Sequence, residues 1–223
     1  MLVFPVRYTN QVYVSRRHVV SFGLSLVLAV LAGQTGAWAQ NGPVLVCFGD
    51  SITAGYGLQR GQSYPDFLKE KLDSHGYHYT INNQGTSGAT TKDAVASLPT
   101  ILRLHPEIVV VEFGGNDGLR GLPLEQTRHN LDQVLTTLEG AHIKILLAGI
   151  TLPPNYGSDY VHSFDQVFRD VAAKHHAAFI PMIYKDLIHI PDTIQQDGIH
   201  PTAKGANILA DTMLAGLKPL LHK

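Results

Sequence analysis

The sequence has one cysteine, one tryptophan and few charged residues. Cys47 has no second cysteine to pair with, so the chain forms no internal disulfide. Its position in an apolar run predicts a buried structural thiol and not a nucleophile. Charged residues make up 16% of the chain and the formal net charge is −1. Because lysine and arginine form no cluster, we expect no nucleic-acid partner.

The chain also lacks a hydrophobic run long enough to cross a bilayer. The apolar run at residues 19–31 is shorter than the roughly 20 residues that a spanning helix needs. It follows Arg16 and Arg17 in a segment without Asp, Glu or Lys, and it leads to Ala37-Trp38-Ala39, a pattern that signal peptidase accepts. We therefore predict a secretory signal peptide at residues 1–39 and one domain at residues 40–223.

Cleavage after Ala39 would leave 184 of the 223 residues and a formal charge of −4, because three arginines leave with the leader. The expected product is a periplasmic or secreted monomer without stable membrane insertion. A core helix and a retained membrane anchor are the alternative interpretations of the leader. The Arg16-Arg17 pair also faintly resembles a twin-arginine export signal, so the export route stays open.

Apolar runs alternate with amphipathic helical patterns along the rest of the chain. We predict strands at residues 44–48, 79–82, 108–113, 143–150 and 178–180, and helices at residues 64–72, 124–138, 164–171 and 202–217. This alternation predicts an α/β fold, a flavodoxin-like three-layer sandwich with a five-stranded parallel sheet. Ligands bind at the carboxyl ends of the strands in such sheets, so any chemistry is expected just after strands.

The first predicted strand runs directly into Gly49-Asp50-Ser51. A serine at this position could simply cap a helix. In a glycine-rich turn at the rim of the sheet, with backbone N–H groups nearby, it also meets the requirements of a nucleophile. Asp50 is assigned to hydrogen bonding within the loop, because adjacent side chains usually diverge.

Two more turn segments that contain glycine and polar residues follow the second and third predicted strands. Gly85 lacks a Cβ, so its N–H could approach a reacting carbonyl, although a lone glycine also suits an ordinary turn. Asn116, in the segment Gly114-Gly115-Asn116-Asp117, could offer its side-chain NH₂ to a developing oxyanion. Turns favour these residue types in any case.

The last segment places Asp197 three residues before His200. This spacing lets Asp197 accept a hydrogen bond from Nδ1–H of His200, which leaves Nε2 to take a serine proton. A metal at Asp-x-x-His would need further ligands, and the sequence has no cluster of His, Cys or Glu to supply them. We therefore expect neither a metal nor an organic cofactor.

Together these segments resemble the four blocks of the SGNH (GDSL) hydrolases: GDS at 49–51, Gly85, GGND at 114–117 and DGIHP at 197–201. The longer runs GDSITAGYG, GGNDGLRG, LPPNYG and QDGIHP are similar to the bacterial thioesterase I, lysophospholipase and arylesterase branch. The motif G-x-S-x-G is absent around Ser51, which argues against the α/β-hydrolase fold.

The resemblance implies a nucleophile at Ser51, supported by Asp197 and His200. It implies an oxyanion hole made of the Ser51 N–H, the Gly85 N–H and the Asn116 side chain. The resemblance also implies that the substrates are small-molecule acyl esters or thioesters, including lysophospholipids and aryl or alkyl esters.

This branch places the loop after the fourth strand beside an acyl groove, so Leu152, Pro153 and Tyr156 are candidate substrate-binding residues. A proline-stiffened connection is the alternative for this loop. Two rival functions stay open: a carbohydrate acetylesterase on the same scaffold, and a non-catalytic lipid- or nucleotide-binding module.

Overall fold

Five strands and seven helices alternate along residues 42–223, the part of the chain that the computed structural model describes. The strands are β1 (Val44–Gly49), β2 (Thr80–Gly85), β3 (Ile108–Glu112), β4 (Lys144–Ala148) and β5 (Ala178–Ile180). The helices are α1 (Ser51–Ala54), α2 (Tyr64–Ser74), α3 (Thr91–Arg103), α4 (Gly115–Leu119), α5 (Leu124–Gly140), α6 (Ser158–Lys174) and α7 (Ala203–Leu217), and a 3₁₀ turn covers Pro154–Tyr156.

The strands form one parallel sheet in the order β2-β1-β3-β4-β5. Every residue of β3 is buried, as the continuous apolar run Ile108–Val111 predicts for a strand covered on both faces. The edge strand β2 is only partly covered, which explains how it accommodates Asn82, Asn83 and Gln84. The predicted α/β fold with a five-stranded parallel sheet is confirmed.

The helices pack in two groups, with α2 against α7, and α5 against both α3 and α6. Each helix buries one apolar stripe, for example Leu68 and Leu72 of α2 and Leu209 and Met213 of α7. Since the central strands are covered on both faces, the two groups form the outer layers of a three-layer sandwich.

Helix α3 and the two short helices α1 and α4 are not among the helices predicted from the sequence. Helix α3 begins with a capping box in which Asp93 Oδ2 accepts hydrogen bonds from the backbone N and the hydroxyl of Thr90. It buries Ala94, Leu98 and Ile101. The T-x-x-D signal and this spacing were both present in the sequence.

The strand order places a crevice where the chain changes direction across the sheet. From β1 the chain crosses to β2 on one side, and it returns to place β3 on the other side of β1. Ligands bind at such switch points, beyond the carboxyl ends of the strands. Ser51 follows β1 and Asn116 follows β3, so the fold brings both to this crevice.

The predicted signal peptide, residues 1–39, lies outside the described residues. Among the helices of residues 42–223, none combines the length and the hydrophobicity that crossing a bilayer requires.

Candidate active site

Ser51 is the first residue of the one-turn helix α1, and the buried Asp50 caps that helix. Asp50 Oδ1 accepts a hydrogen bond from the Ile52 amide at 3.0 Å. The turn ends at Gly55, whose φ of 77° lies in the left-handed region that favours glycine. Within residues 42–223 the Ser51 amide donates to no protein acceptor, so this N–H stays available at the rim of the crevice.

A relay of hydrogen-bonding distances joins three of the predicted residues. His200 Nε2 lies 2.8 Å from Ser51 Oγ, and His200 Nδ1 lies 2.7 Å from Asp197 Oδ2. Asp197 Oδ1 accepts the backbone amides of Ile199 at 2.9 Å and of His200 at 3.0 Å. The fold therefore brings together a hydroxyl, an imidazole and a carboxylate in the order that proton transfer needs.

These contacts also determine the charge of Asp197. Partial burial acts to raise its pKa, but the hydrogen bonds from the His200 ring and from the His200 and Ile199 amides outweigh burial and lower the pKa. Asp197 is consequently a carboxylate at neutral pH. It fixes the proton on Nδ1, which leaves Nε2 of His200 as the acceptor that faces Ser51.

The loop that carries His200 is held by Gln195 and Tyr56, neither of which the sequence patterns singled out. The Gln195 side chain donates to Tyr56 O at 2.8 Å and to Pro201 O at 2.9 Å. The Tyr56 ring lies against the His200 ring, with centroids 4.6 Å apart. The two loops on either side of the crevice are thereby joined directly.

Asn116 lines the same cavity as Ser51 and His200, which has a volume of about 220 Å³. Its side-chain nitrogen donates to Asp50 Oδ2 at 3.0 Å and to Ala89 O at 2.9 Å. The amide is thus held in one orientation from two sides.

Gly85 is not brought to this cavity. Its N–H donates to Asn83 Oδ1 at 2.9 Å, and a Cβ built on it would lie 2.2 Å from the Ala54 nitrogen. Gly85 therefore serves the close packing of β2 on α1. The glycine that lines the cavity is Gly88, with φ of 79°, whose amide donates to no protein acceptor within residues 42–223. Gly88 lies three residues after Gly85. The sequence feature that could have identified it is its place in a turn just before Thr90, which begins the capping box of α3.

A second cavity of about 350 Å³ adjoins the first, and the two share four lining residues: Gly115, Leu119, Ile150 and Ile199. Its wall is largely apolar. Leu152 and Pro153 line it as expected, together with Pro154, Met182, Tyr184 and Ile188. Tyr156 does not line it; its hydroxyl donates to Leu119 O at 3.1 Å and supports the wall from outside.

Cys47 lies inside β1 and is fully buried, which confirms the predicted structural thiol. Burial raises the pKa of Cys47 to about 12. The thiol is therefore protonated at neutral pH, and it takes no part in the relay.

The fold and the relay together define a hydrolase of the serine type on a doubly wound α/β scaffold. Residues 47–208 match the GDSL-like Lipase/Acylhydrolase family, and the chain belongs to this family.

Among its relatives is the esterase TesA of Pseudomonas aeruginosa, 37% identical over 88% of this chain and 96% of the relative. Another is the thioesterase 1/protease 1/lysophospholipase L1 of Escherichia coli K12, 35% identical over 80% of this chain and 85% of the relative. The crystal structure of TesA superposes with a TM-score of 0.77 at 38% identity, over 80% of this chain and 99% of that one.

Proposed function

We propose that this enzyme hydrolyses acyl esters and thioesters through an acyl intermediate on Ser51. The chain is an ester hydrolase of the GDSL family. The observation that carries the mechanism is the relay from Asp197 through His200 to Ser51, with its two distances of 2.7 and 2.8 Å.

In this mechanism Ser51 Oγ attacks the acyl carbon while His200 Nε2 takes the hydroxyl proton. The imidazolium that forms is stabilised by Asp197 and then gives its proton to the departing alcohol or thiol. Water, activated by the same nitrogen, then attacks the acyl-enzyme and releases the carboxylic acid.

The oxyanion of each tetrahedral intermediate lies in the cavity that Ser51, Gly88 and Asn116 line. The Ser51 and Gly88 amides donate to no protein acceptor within residues 42–223, so they can donate to it without breaking a bond. Asn116 contributes an N–H from its side chain. Gly88 takes the place that the sequence resemblance gave to Gly85, because the Gly85 N–H is bound by Asn83.

The adjoining apolar cavity supports a hydrocarbon acyl chain over an acetyl group on a carbohydrate. Sugar recognition relies on many polar groups, whereas this wall is formed by residues such as Leu152, Met182 and Ile188. We include lysophospholipids and acyl thioesters among the candidate substrates, because the relative from E. coli is named for both.

The test is a comparison of kcat/KM across p-nitrophenyl esters from acetate to dodecanoate, lysophosphatidylcholine, an acyl-CoA and an acetylated xylan fragment. We expect activity to rise beyond the acetyl ester and to disappear in Ser51→Ala. Preference for acetylated sugar with no gain from longer chains would favour the acetylesterase instead. Full retention of activity by Ser51→Ala would refute the mechanism.

We further propose that the mature enzyme is a periplasmic or secreted monomer that begins at Gln40. The support is the arginine-rich segment, the apolar run and Ala37-Trp38-Ala39 in the first 39 residues. Amino-terminal sequencing of the exported protein tests the cleavage position, and sedimentation equilibrium tests the monomer. A chain that starts at Met1 in the cytoplasmic fraction would contradict the export proposal.

A further inference from the structure

Two carboxyl groups lie buried beneath the nucleophile, and the mechanism above uses neither. Asp50 is 2% exposed and Glu112 is fully buried. Glu112 is the last residue of β3 and lies opposite Gly49 in β1. Its Oε2 accepts the Thr53 hydroxyl at 2.8 Å and lies 3.4 Å from the Asp50 amide nitrogen. A Cβ at position 49 would lie 2.6 Å from the same oxygen, so glycine makes room for this carboxyl group.

No lysine or arginine among residues 42–223 forms an ion pair with either carboxyl group. The other ionisable groups that interact with the pair are Tyr64, Tyr184 and His200. Of these, His200 alone can carry a positive charge. Two adjacent buried carboxylates without a permanent cation repel each other and lose their solvation, so one of them keeps its proton.

The proton belongs on Glu112. Burial first, and then the charge of Asp50, raise the pKa of Glu112 well above its ordinary value. Burial raises the pKa of Asp50 less, to about 6, because hydrogen bonds from the Ile52 amide and Glu112, the nearby His200 and, last, the hydrogen bond from Asn116 all act to lower it. In addition, Glu112 Oε1 has no hydrogen-bond partner among the described residues, and an unpartnered oxygen costs far less on a neutral acid than on a carboxylate.

Asp50 has a second contact that links it to the reaction. Its Oδ1 caps α1 through Ile52, and its Oδ2 accepts one hydrogen of the Asn116 amide. The other hydrogen of that amide points to Ala89 O, a neutral acceptor. A charged acceptor binds more strongly than a neutral one. Asp50 therefore holds one hydrogen firmly, and the hydrogen on Ala89 O is the one that an oxyanion can recruit.

We propose that Asp50 is an ionised positioning residue that orients the Asn116 amide toward the oxyanion, and that Glu112 beneath it is a neutral carboxylic acid. The inference rests on the proposed function. Asp50→Asn tests the positioning role, because the two oxygens of Asp50 each accept a hydrogen bond. An asparagine amide can accept only one of the two, and its NH₂ then faces either the Ile52 amide or the Asn116 amide.

The experiment measures kcat and KM on p-nitrophenyl butyrate across the acid pH range for wild type, Asp50→Asn and Glu112→Gln. In Asp50→Asn we expect kcat to fall about 10- to 100-fold with KM nearly unchanged, because an oxyanion contact acts in the transition state. We also expect the acid limb to become shallower, because the ionisation of Asp50 is lost from it. Wild-type kcat in Asp50→Asn would overturn the positioning role.

Glu112→Gln replaces a neutral acid with a neutral amide, so we expect the acid limb to stay in place. If Glu112 were ionised, removal of its charge would move the limb to lower pH, and that result would overturn the assignment. Asp117→Asn is the matched control: Asp117 is equally buried but binds Thr91, and its substitution should leave the shape of the acid limb unchanged.

Infrared difference spectra of wild type and Glu112→Gln at neutral pH test the protonation state without any activity. We expect the wild type to show the carbonyl stretch of one extra protonated carboxylic acid. An extra carboxylate band in its place would overturn the assignment. Ser51→Ala separates failure of the proposed function from failure of this inference, because it tests the nucleophile and leaves the carboxyl pair intact.

Discussion

Asp197→Asn should abolish most of the activity while leaving the fold intact. Asp197 Oδ1 accepts two backbone amides, and Oδ2 accepts the ring N–H of His200. An asparagine can keep both backbone bonds through its single oxygen. Its NH₂ then faces Nδ1, which must accept, so the proton moves to Nε2 and His200 can no longer take the Ser51 proton.

The same change in a serine protease lowers kcat by about 10⁴-fold, which corresponds to about 5 kcal/mol in the activation barrier. We expect a loss of that order here, with an unchanged melting temperature, measured on p-nitrophenyl butyrate near neutral pH. Asp192→Asn is the control, since this exposed residue lies in the same segment and its φ of 62° suits asparagine. If Asp197→Asn kept a tenth of the wild-type kcat, the assigned tautomer would be wrong.

Three further outcomes follow from other parts of the structure. Gly85→Ala forces a Cβ against the backbone of α1 and should lower the free energy of unfolding by about 1–3 kcal/mol in urea titrations, whereas Gly140→Ala, in open space, should raise it by about 0.5 kcal/mol. Tyr56→Ala removes the ring beside His200 and should lower kcat about two- to tenfold, while Tyr56→Phe keeps the ring and most of the rate. Because the raised pKa of Glu112 makes the folded chain hold a proton that the unfolded chain releases, Glu112 should contribute a slope of about −1.4 kcal/mol per pH unit to the free energy of unfolding above about pH 4.3. Glu112→Gln should flatten that slope, and an unchanged slope would count against it.

The parts of the fold that follow from local sequence were predictable. The buried strands β1 and β3 are continuous apolar runs, and helices α2, α5, α6 and α7 carry apolar stripes of helical period. Strand β2 was predicted too short because an edge strand tolerates polar residues that weaken its pattern. Helix α3 was missed although its capping box was visible.

The site was predictable only where chemistry and spacing coincide. Asp197 and His200 are three residues apart, so their contact is nearly local. Which glycine of residues 85–88 reaches the cavity depends on how β2 packs on α1, and no local pattern contains that information. The contact between Glu112 and Asp50 joins the end of β3 to the residue that follows β1, so it depends on strand pairing. The sequence pattern of β3 identified an apolar strand and gave no role to Glu112.

The central claim is that Ser51 is the nucleophile, and covalent labelling tests it most directly. The mature enzyme is treated with a fluorophosphonate, and the modified peptide is identified by mass spectrometry. We predict one adduct, on Ser51, that forms in step with the loss of esterase activity and is absent from Ser51→Ala. An adduct on another residue, or full activity after complete labelling of Ser51, would contradict the account.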